Sequence, residues 1–320
     1  MKKLLCIIIT FLAFDSNVYS QACCGNGLFD VSVLSLNKKV LFGLNFRFDN
    51  YLGVWDHNSQ WRDLNYTSYQ ISPSFSTAYR FNRHFQMGLS IPYVINKKNL
   101  PGLPDYGSGI GDISVNGRYE IFHEFEEKEI GRNIVIDKSK PYLAIVFGAI
   151  FPTGISDETA NSDVDITGHG SFSSILGLSA VKTLVRDKLQ FGADINWQHN
   201  FEQTYTSYFN QPIPNSFSRR IGDRLNLATS INYILNLKNS FAFYLSGFLQ
   251  KPLVIDGTQI DNSAESIVNC AISYSYFPTT YLRFNTLLKW NFPTSNFGKN
   301  TSGSLTATIN LIYYIETLDF

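Results

Sequence analysis

The feature that most constrains this chain is a period-two alternation of apolar and polar residues, sustained over long segments. From Phe85 every second residue reads Phe85, Met87, Leu89, Ile91, Tyr93, Ile95, with Gln86, Gly88, Ser90, Pro92, Val94 and Asn96 between them. Leu189, Phe191, Ala193, Ile195 and Trp197 alternate with Gln190, Gly192, Asp194, Asn196 and Gln198. The same rhythm runs from Leu225 to Leu235 and from Leu282 to Trp290. Period two puts successive side chains on opposite faces of a strand. Such segments run roughly 10–13 residues, about twice the usual globular strand. A strand tilted near 45° needs roughly 9–11 residues to cross a bilayer. Length and alternation together predict an all-β fold, a transmembrane antiparallel barrel. Closure is what pairs every backbone polar group where no water is present.

Twelve strands are predicted, over residues 40–50, 66–80, 84–95, 111–123, 141–152, 170–183, 187–200, 223–236, 240–251, 265–276, 279–292 and 303–316, with ten or fourteen as the alternatives. The fifth is apolar on both parities, which leaves its facing open. Tight connections such as Asn82-Arg83 and Phe277-Pro278 alternate with long polar segments at 51–65, 96–110, 153–169, 201–222, 252–264 and 293–302. Short periplasmic turns opposite longer external loops are the habit of outer-membrane barrels. One long charged segment, 124–140, falls in a periplasmic slot and reads as a solvated turn. A soluble β-sandwich is the other all-β choice, and strands of this length argue against it.

The chain opens Met1-Lys2-Lys3 followed by an apolar run to Phe14, the pattern of a secretory signal, so 1–20 is read as a signal peptide. Residues 21–39 form an N-terminal periplasmic or plug segment, and 40–320 the barrel in the bacterial outer membrane. Lys and Arg number 26 and Asp and Glu 26, which gives no reason to expect a nucleic-acid partner. Cys23, Cys24 and Cys270 follow the signal, an odd set that makes no disulfide framework. The last residue, Phe320, resembles the C-terminal aromatic signal read by the barrel assembly machinery.

Charged side chains facing lipid near the midplane destabilise a barrel by roughly 2–4 kcal/mol. Arg47, Asp49, Arg80, Arg118, Glu120, Asp194, Arg283 and Lys289, all on the polar parity, are therefore expected to face inward and line the pore. The 153–169 segment carries Asp157, Glu158, Asp163 and Asp165. It reads as a solvated loop, since the spacing is not that of an EF-hand. No metal and no cofactor are expected. His57 and His199 fall toward the outer rim, near Asp56 and Glu202, but no G-x-S-x-G accompanies them, so an enzyme is not expected.

Gly107-Ser108-Gly109-Ile110-Gly111-Asp112-Ile113 followed by Arg118-Tyr119, Phe151-Pro152-Thr153-Gly154, Gly168-His169-Gly170-Ser171 and Ser90-Ile91-Pro92-Tyr93 carry a resemblance. They resemble the outer-membrane transporter-like barrels grouped under the meta-pathway of phenol degradation, related to the long-chain fatty-acid transporters. The resemblance implies a barrel that admits small, often hydrophobic, organic solutes, with outer-membrane lipid around it. A structural or adhesive barrel without an open pore, and a barrel hydrolase, are the other readings. Read from the residues alone, Gly107, Gly109 and Gly111 are expected at positions that need positive φ.

Overall fold

The computed structural model describes residues 34, 38–99, 106–121, 128–130, 133–135, 141–185, 188–236 and 238–316. Twelve strands make the wall: β1 (Lys38–Trp55), β2 (Trp61–Arg80), β3 (Phe85–Lys98), β4 (Tyr106–Ile110, resuming after a break as Ile113–Glu120), β5 (Tyr142–Phe151), β6 (Ser173–Val185), β7 (Leu189–Asn200), β8 (Arg224–Asn236), β9 (Asn239–Gln250), β10 (Glu265–Tyr276), β11 (Leu282–Asn291) and β12 (Thr301–Glu316). Each pairs antiparallel with its sequence neighbours, and β1 pairs with β12, so the sheet closes without an edge. All twelve expected strands are present. Among the described residues no helix is long and apolar enough to cross a membrane, and the crossing is made by strands.

Alternation becomes inside and outside. On β1, Phe42, Leu44, Phe46 and Phe48 are exposed on the outer face while Leu41, Gly43, Asn45 and Asp49 are buried within. Phe85, Leu89, Tyr93, Phe191, Trp197, Leu227, Tyr233, Phe284 and Trp290 all lie on the outward parity of their strands. β5 resolves the same way. Leu143 and Phe151 are exposed outside, and Tyr142 and Ala144 are buried inside. Its inward set, Tyr142, Ala144, Val146, Gly148 and Ile150, is apolar, which is why the sequence left its facing open.

Several segments read as loops are strand. β1 and β2 have 18 and 20 residues and continue through most of 51–65, leaving only 56–60 as their connection. At about 3.3 Å per residue and a tilt near 45°, such strands rise about 40 Å, well past the roughly 25 Å apolar band. A bulge between Tyr51 and Gly53 shifts the register, and beyond it Trp55 is buried. There it packs edge-on against Trp61, with ring centroids 4.5 Å apart, and donates its indole N–H to Thr294 O at 2.7 Å. Beyond β7, residues 203–220 form a hairpin (Gln203–Tyr208 with Gln211–Arg220) that pairs with 254–259 in a separate four-stranded sheet. In the 124–140 segment, Lys128–Ile130 pairs with Asn133–Val135, and the remainder lies outside the described residues.

One end of the barrel, the turn end, carries the start of β1, the end of β12 and the short connections. The other, the loop end, carries the long ones. The signal peptide, Cys23-Cys24 and Phe320 lie outside the described residues.

The outward belt sets a stability prediction. Ile195, exposed on the outer face of β7 near mid-strand, is expected to cost about 2–4 kcal/mol when changed to Arg. Reversible urea unfolding in lipid vesicles measures it, and a cost below 1 kcal/mol would place this face away from lipid.

Candidate functional site

The lumen is floored at the turn end by a charge knot. Arg80 Nη1 and Nη2 grip Glu120 Oε2 and Oε1 at 2.8 and 3.1 Å, and both side chains are essentially without solvent exposure. Gln86 donates to Glu120 Oε1 at 2.8 Å, and Arg118 Nε stands 3.8 Å from the same oxygen. Leu34, from the segment before β1, is inside this knot. Its N–H donates to Gln86 Oε1 at 2.9 Å, and its carbonyl accepts from Arg80 at 2.7 Å. Leu34 also packs with Leu41, Ala78, Ile312 and Tyr314 in a buried apolar cluster. Arg118 and two further cations line this end. Arg118 stacks over Tyr142, Arg283 donates to Ser275 at 3.0 Å, and Lys38 donates to Thr280 O at 2.8 Å.

Above the knot the lumen opens into a cavity of about 650 Å³. The β1–β2 side is polar: Asn45, Arg47, Gln70, Ser72 and Ser74. The β3–β6 side and the roof carry Pro92, Val94, Ile150, Ile166 and Ile175, with Ser90, Ser114 and Asn116 among them. Inward Ile and Val are unusual against the Ser, Asn and Gly that fill most inward positions, and they give the cavity two chemical faces. Arg47 forks onto Asp49 (2.6 and 3.0 Å), and Thr306 donates to Asp49 at 2.5 Å. Arg224 reaches the cavity while stacking on Phe248 at 4.0 Å and bonding Gln250 at 2.7 Å.

The roof is the connection between β5 and β6, residues 152–172, folded into the mouth. It docks where β4 breaks at Gly111-Asp112. The Asp112 carboxylate accepts the N–H groups of Gly154 (3.0 Å) and His169 (2.7 Å), one on each oxygen. Thr153 donates to Gly111 O at 2.8 Å and Thr167 to Ile110 O at 2.7 Å. From β3, Asn96 donates to Val164 O and Ile166 O at 2.9 and 2.8 Å. The contact is close enough that a Cβ on Gly107 would meet Val164 O at 2.4 Å. This corrects the expectation for the β4 glycines: Gly107, Gly109 and Gly111 do not have positive φ, and the space they leave is taken by the roof. Positive φ occurs instead at Gly170 (φ 76°), in the roof itself.

The roof is clamped from outside by the 203–220 hairpin. Arg219 forks onto Asp157 at 2.5 and 3.1 Å and stacks 4.3 Å over Tyr205. Glu158 accepts from Thr206 N–H, Thr206 Oγ1 and Gln203 at 3.0, 3.1 and 3.2 Å. Asp163 pairs with Lys98, and Asp165 closes a capping box with Ser162. The acidic set is therefore a fastening and not the solvated loop expected from composition. His169 lines the cavity under this roof. Desolvation holds its imidazole below the usual range, with Asp112 opposing the shift and Arg224 and Arg219 adding to it.

Arg47, Asp49, Arg80, Arg118, Glu120, Asp194, Arg283 and Lys289 all sit on inward parity. They do not form one array. Arg80, Arg118 and Glu120 make the knot, Arg47 and Asp49 pair in the upper wall, and Asp194 accepts from Ser179. Sequence reasoning missed Asp112, His169 and Arg224. The dense Gly-x-Gly-x-Gly-Asp run marked the first as special but not its role.

These features define a class: a twelve-stranded transmembrane barrel of the bacterial outer membrane with a roofed and floored polar lumen. The sequence matches the family model described as putative MetA-pathway of phenol degradation over residues 41–307, and the chain belongs to that family. Among solved structures, an outer-membrane channel from Pseudomonas putida F1 superimposes with TM-score 0.70 at 12% identity, covering 89% of this chain and 98% of that one. The translocator domain of the autotransporter NalP from Neisseria meningitidis gives 0.48 at 8% identity, covering 87% and 88%. The P. putida toluene transporter TodX gives 0.41 at 9%, covering 87% and 91%. At these identities the likeness is one of fold. A comparison with curated proteins finds no match.

The knot makes a test. Removing one partner of a buried ion pair costs about 3–5 kcal/mol, because the other charge is stranded. Glu120→Ala is expected to destabilise the barrel by about that much, and Arg80→Met with Glu120→Leu by less than Glu120→Ala alone. Unfolding midpoints followed by tryptophan fluorescence decide it.

Proposed function

We propose that this barrel is a passive diffusion channel that admits small organic solutes with an apolar portion. The observation that carries the reading is the two-faced cavity between roof and floor. An apolar strip accepts a hydrocarbon or aromatic body, and the facing Asn, Gln and Ser side chains serve its polar groups. A volume of about 650 Å³ is within the range of small-molecule sites. The superimposable P. putida barrel is described as an outer-membrane channel, which supports the same reading. In this reading Arg47, Asp49, Arg80, Arg118, Glu120, Asp194, Arg283 and Lys289 set the field of the path. Cations outnumber anions among them, so the lumen favours anionic or neutral solutes. No step of the passage requires chemistry on the solute. The buried knot around Leu34 favours a second reading, a structural barrel closed at its floor.

Planar-bilayer recording separates the two. A channel conducts, whereas a closed structural barrel gives neither conductance nor flux of small organic acids and phenols into liposomes. Arg118→Gln with Arg283→Gln is expected to shift the permeability ratio toward cations. An unchanged ratio would mean these guanidinium groups act only inside the wall.

The roof gives an independent handle. Asp112→Ala removes two hydrogen bonds to a charged acceptor, each worth about 1.5–3 kcal/mol. The expected result is a freed roof with larger or more variable unitary conductance. Conductance identical to the parent would place the constriction elsewhere.

A further inference from the structure

The cavity under the roof takes its wall from one arc of the barrel, β1 to β6, and from the roof itself. Among the described residues Arg224, the first of β8, is the exception: its side chain reaches in from beyond that arc. The reach is braced by β9 and β10. The guanidinium lies 4.0 Å over the Phe248 ring, and its Nε donates to Gln250 Oε1 at 2.7 Å. Glu265 Oε2 stands 3.9 Å from Nη2, an ion pair beyond hydrogen-bond length. The plane of the guanidinium is thus fixed, while its Nη1–Nη2 edge has no hydrogen-bond acceptor among the described residues.

The other charges at this end are already spent. Arg47 is forked onto Asp49, and Arg219 onto Asp157. The two oxygens of Asp112 take the N–H groups of Gly154 and His169. What is left over is the outer edge of Arg224 and the imidazole of His169, which lines the same cavity and makes no hydrogen bond among the described residues. The two are close enough that the charge on Arg224 presses His169 toward its neutral form, with Arg219 adding to this and Asp112 and Asp157 opposing it. A neutral imidazole keeps one ring N–H to donate.

These donors have an apolar counterpart. Ile166, three residues before His169, lines the cavity together with Val94 and Pro92. A guanidinium edge offers a carboxylate two parallel hydrogen bonds, and one already stacked and tied loses little freedom on binding. A single alcohol or phenol oxygen would leave half of that fork unused. We propose that Arg224 and His169 form a carboxylate-binding subsite under the roof. Its ligand is a small monocarboxylate whose aromatic or branched aliphatic body lies on Pro92, Val94 and Ile166. That this ligand is a passing solute rests on the channel reading; the subsite itself rests on the cavity.

Benzoate is the probe, with benzamide as its neutral isostere and acetate as a carboxylate without an apolar body. The full-length barrel in lipid nanodiscs is titrated with each and followed by ligand-observed NMR, with empty nanodiscs as the blank. Folding is checked by heat-dependent mobility on gels. Benzoate is expected to bind at least about tenfold more tightly than benzamide or acetate, the size of one hydrogen bond to a charged group. Arg224→Gln is expected to erase that preference and leave benzamide binding unchanged, and Arg224→Lys to restore part of it. His169→Ala keeps the backbone bond to Asp112 and is expected to weaken benzoate several-fold. Equal binding of benzoate and benzamide by the parent, no binding of benzoate, or undiminished binding in folded Arg224→Gln would overturn the subsite. Benzoate flux into liposomes is measured separately. Binding without flux upholds the subsite and removes the channel reading, and flux without Arg224-dependent binding does the reverse.

Discussion

Inside a bilayer an unpaired backbone N–H or C=O has no water to turn to, and each one left open costs several kilocalories per mole. A sheet satisfies these groups only by closing on itself, and closure of β12 onto β1 is what the rest of this molecule depends on. Once the ring is closed, strict alternation is forced, because one face meets hydrocarbon and the other meets the lumen. Shifting any strand by one residue would exchange the two faces. The outward Phe, Leu and Ile residues are thus more than a greasy coat. They fix the register that places Asp112, Asp49 and Glu120 inside.

Closure creates a second problem. Twelve strands enclose more space than side chains alone can fill. The chain fills it from both ends by different means. The floor is a compact charge knot, in which Glu120 is surrounded by Arg80, Gln86 and Arg118. The roof is a chain segment carried in by hydrogen bonds to Asp112 and Asn96. Between them Val94, Ile150 and Ile175 put an apolar strip on the inner wall.

Strand number, strand facing and the inward placement of the charged residues were legible in the sequence, because each follows from a local rule of period two. β5 was not, because the apolar cavity strip makes its inward residues as hydrophobic as its outward ones. The length of β1 and β2 was missed, because above the lipid band no alternation is demanded and Asn, Asp and Gly replace it. The roles of Asp157, Glu158 and Asp112 were invisible for a different reason. Their partners, Arg219, Thr206 and the backbone of 154 and 169, are supplied by other connections. Asp223, not Glu202, is the carboxylate beside His199 for the same reason: strand register brings it there.

The roof meets β4 through the Asp112 carboxylate and the Thr153 and Thr167 hydroxyls, and packs backbone to backbone at Gly107, where a single methyl group would collide. None of these contacts involves the side chains of Ile166 or His169. The mouth is therefore divided into a mount and an insert. The mount fixes where the inserted chain sits, while Ile166 and His169 present their side chains to the cavity. Those two positions are free to vary without disturbing the mount, so one barrel is a chassis for many cavity linings, adjustable a few side chains at a time.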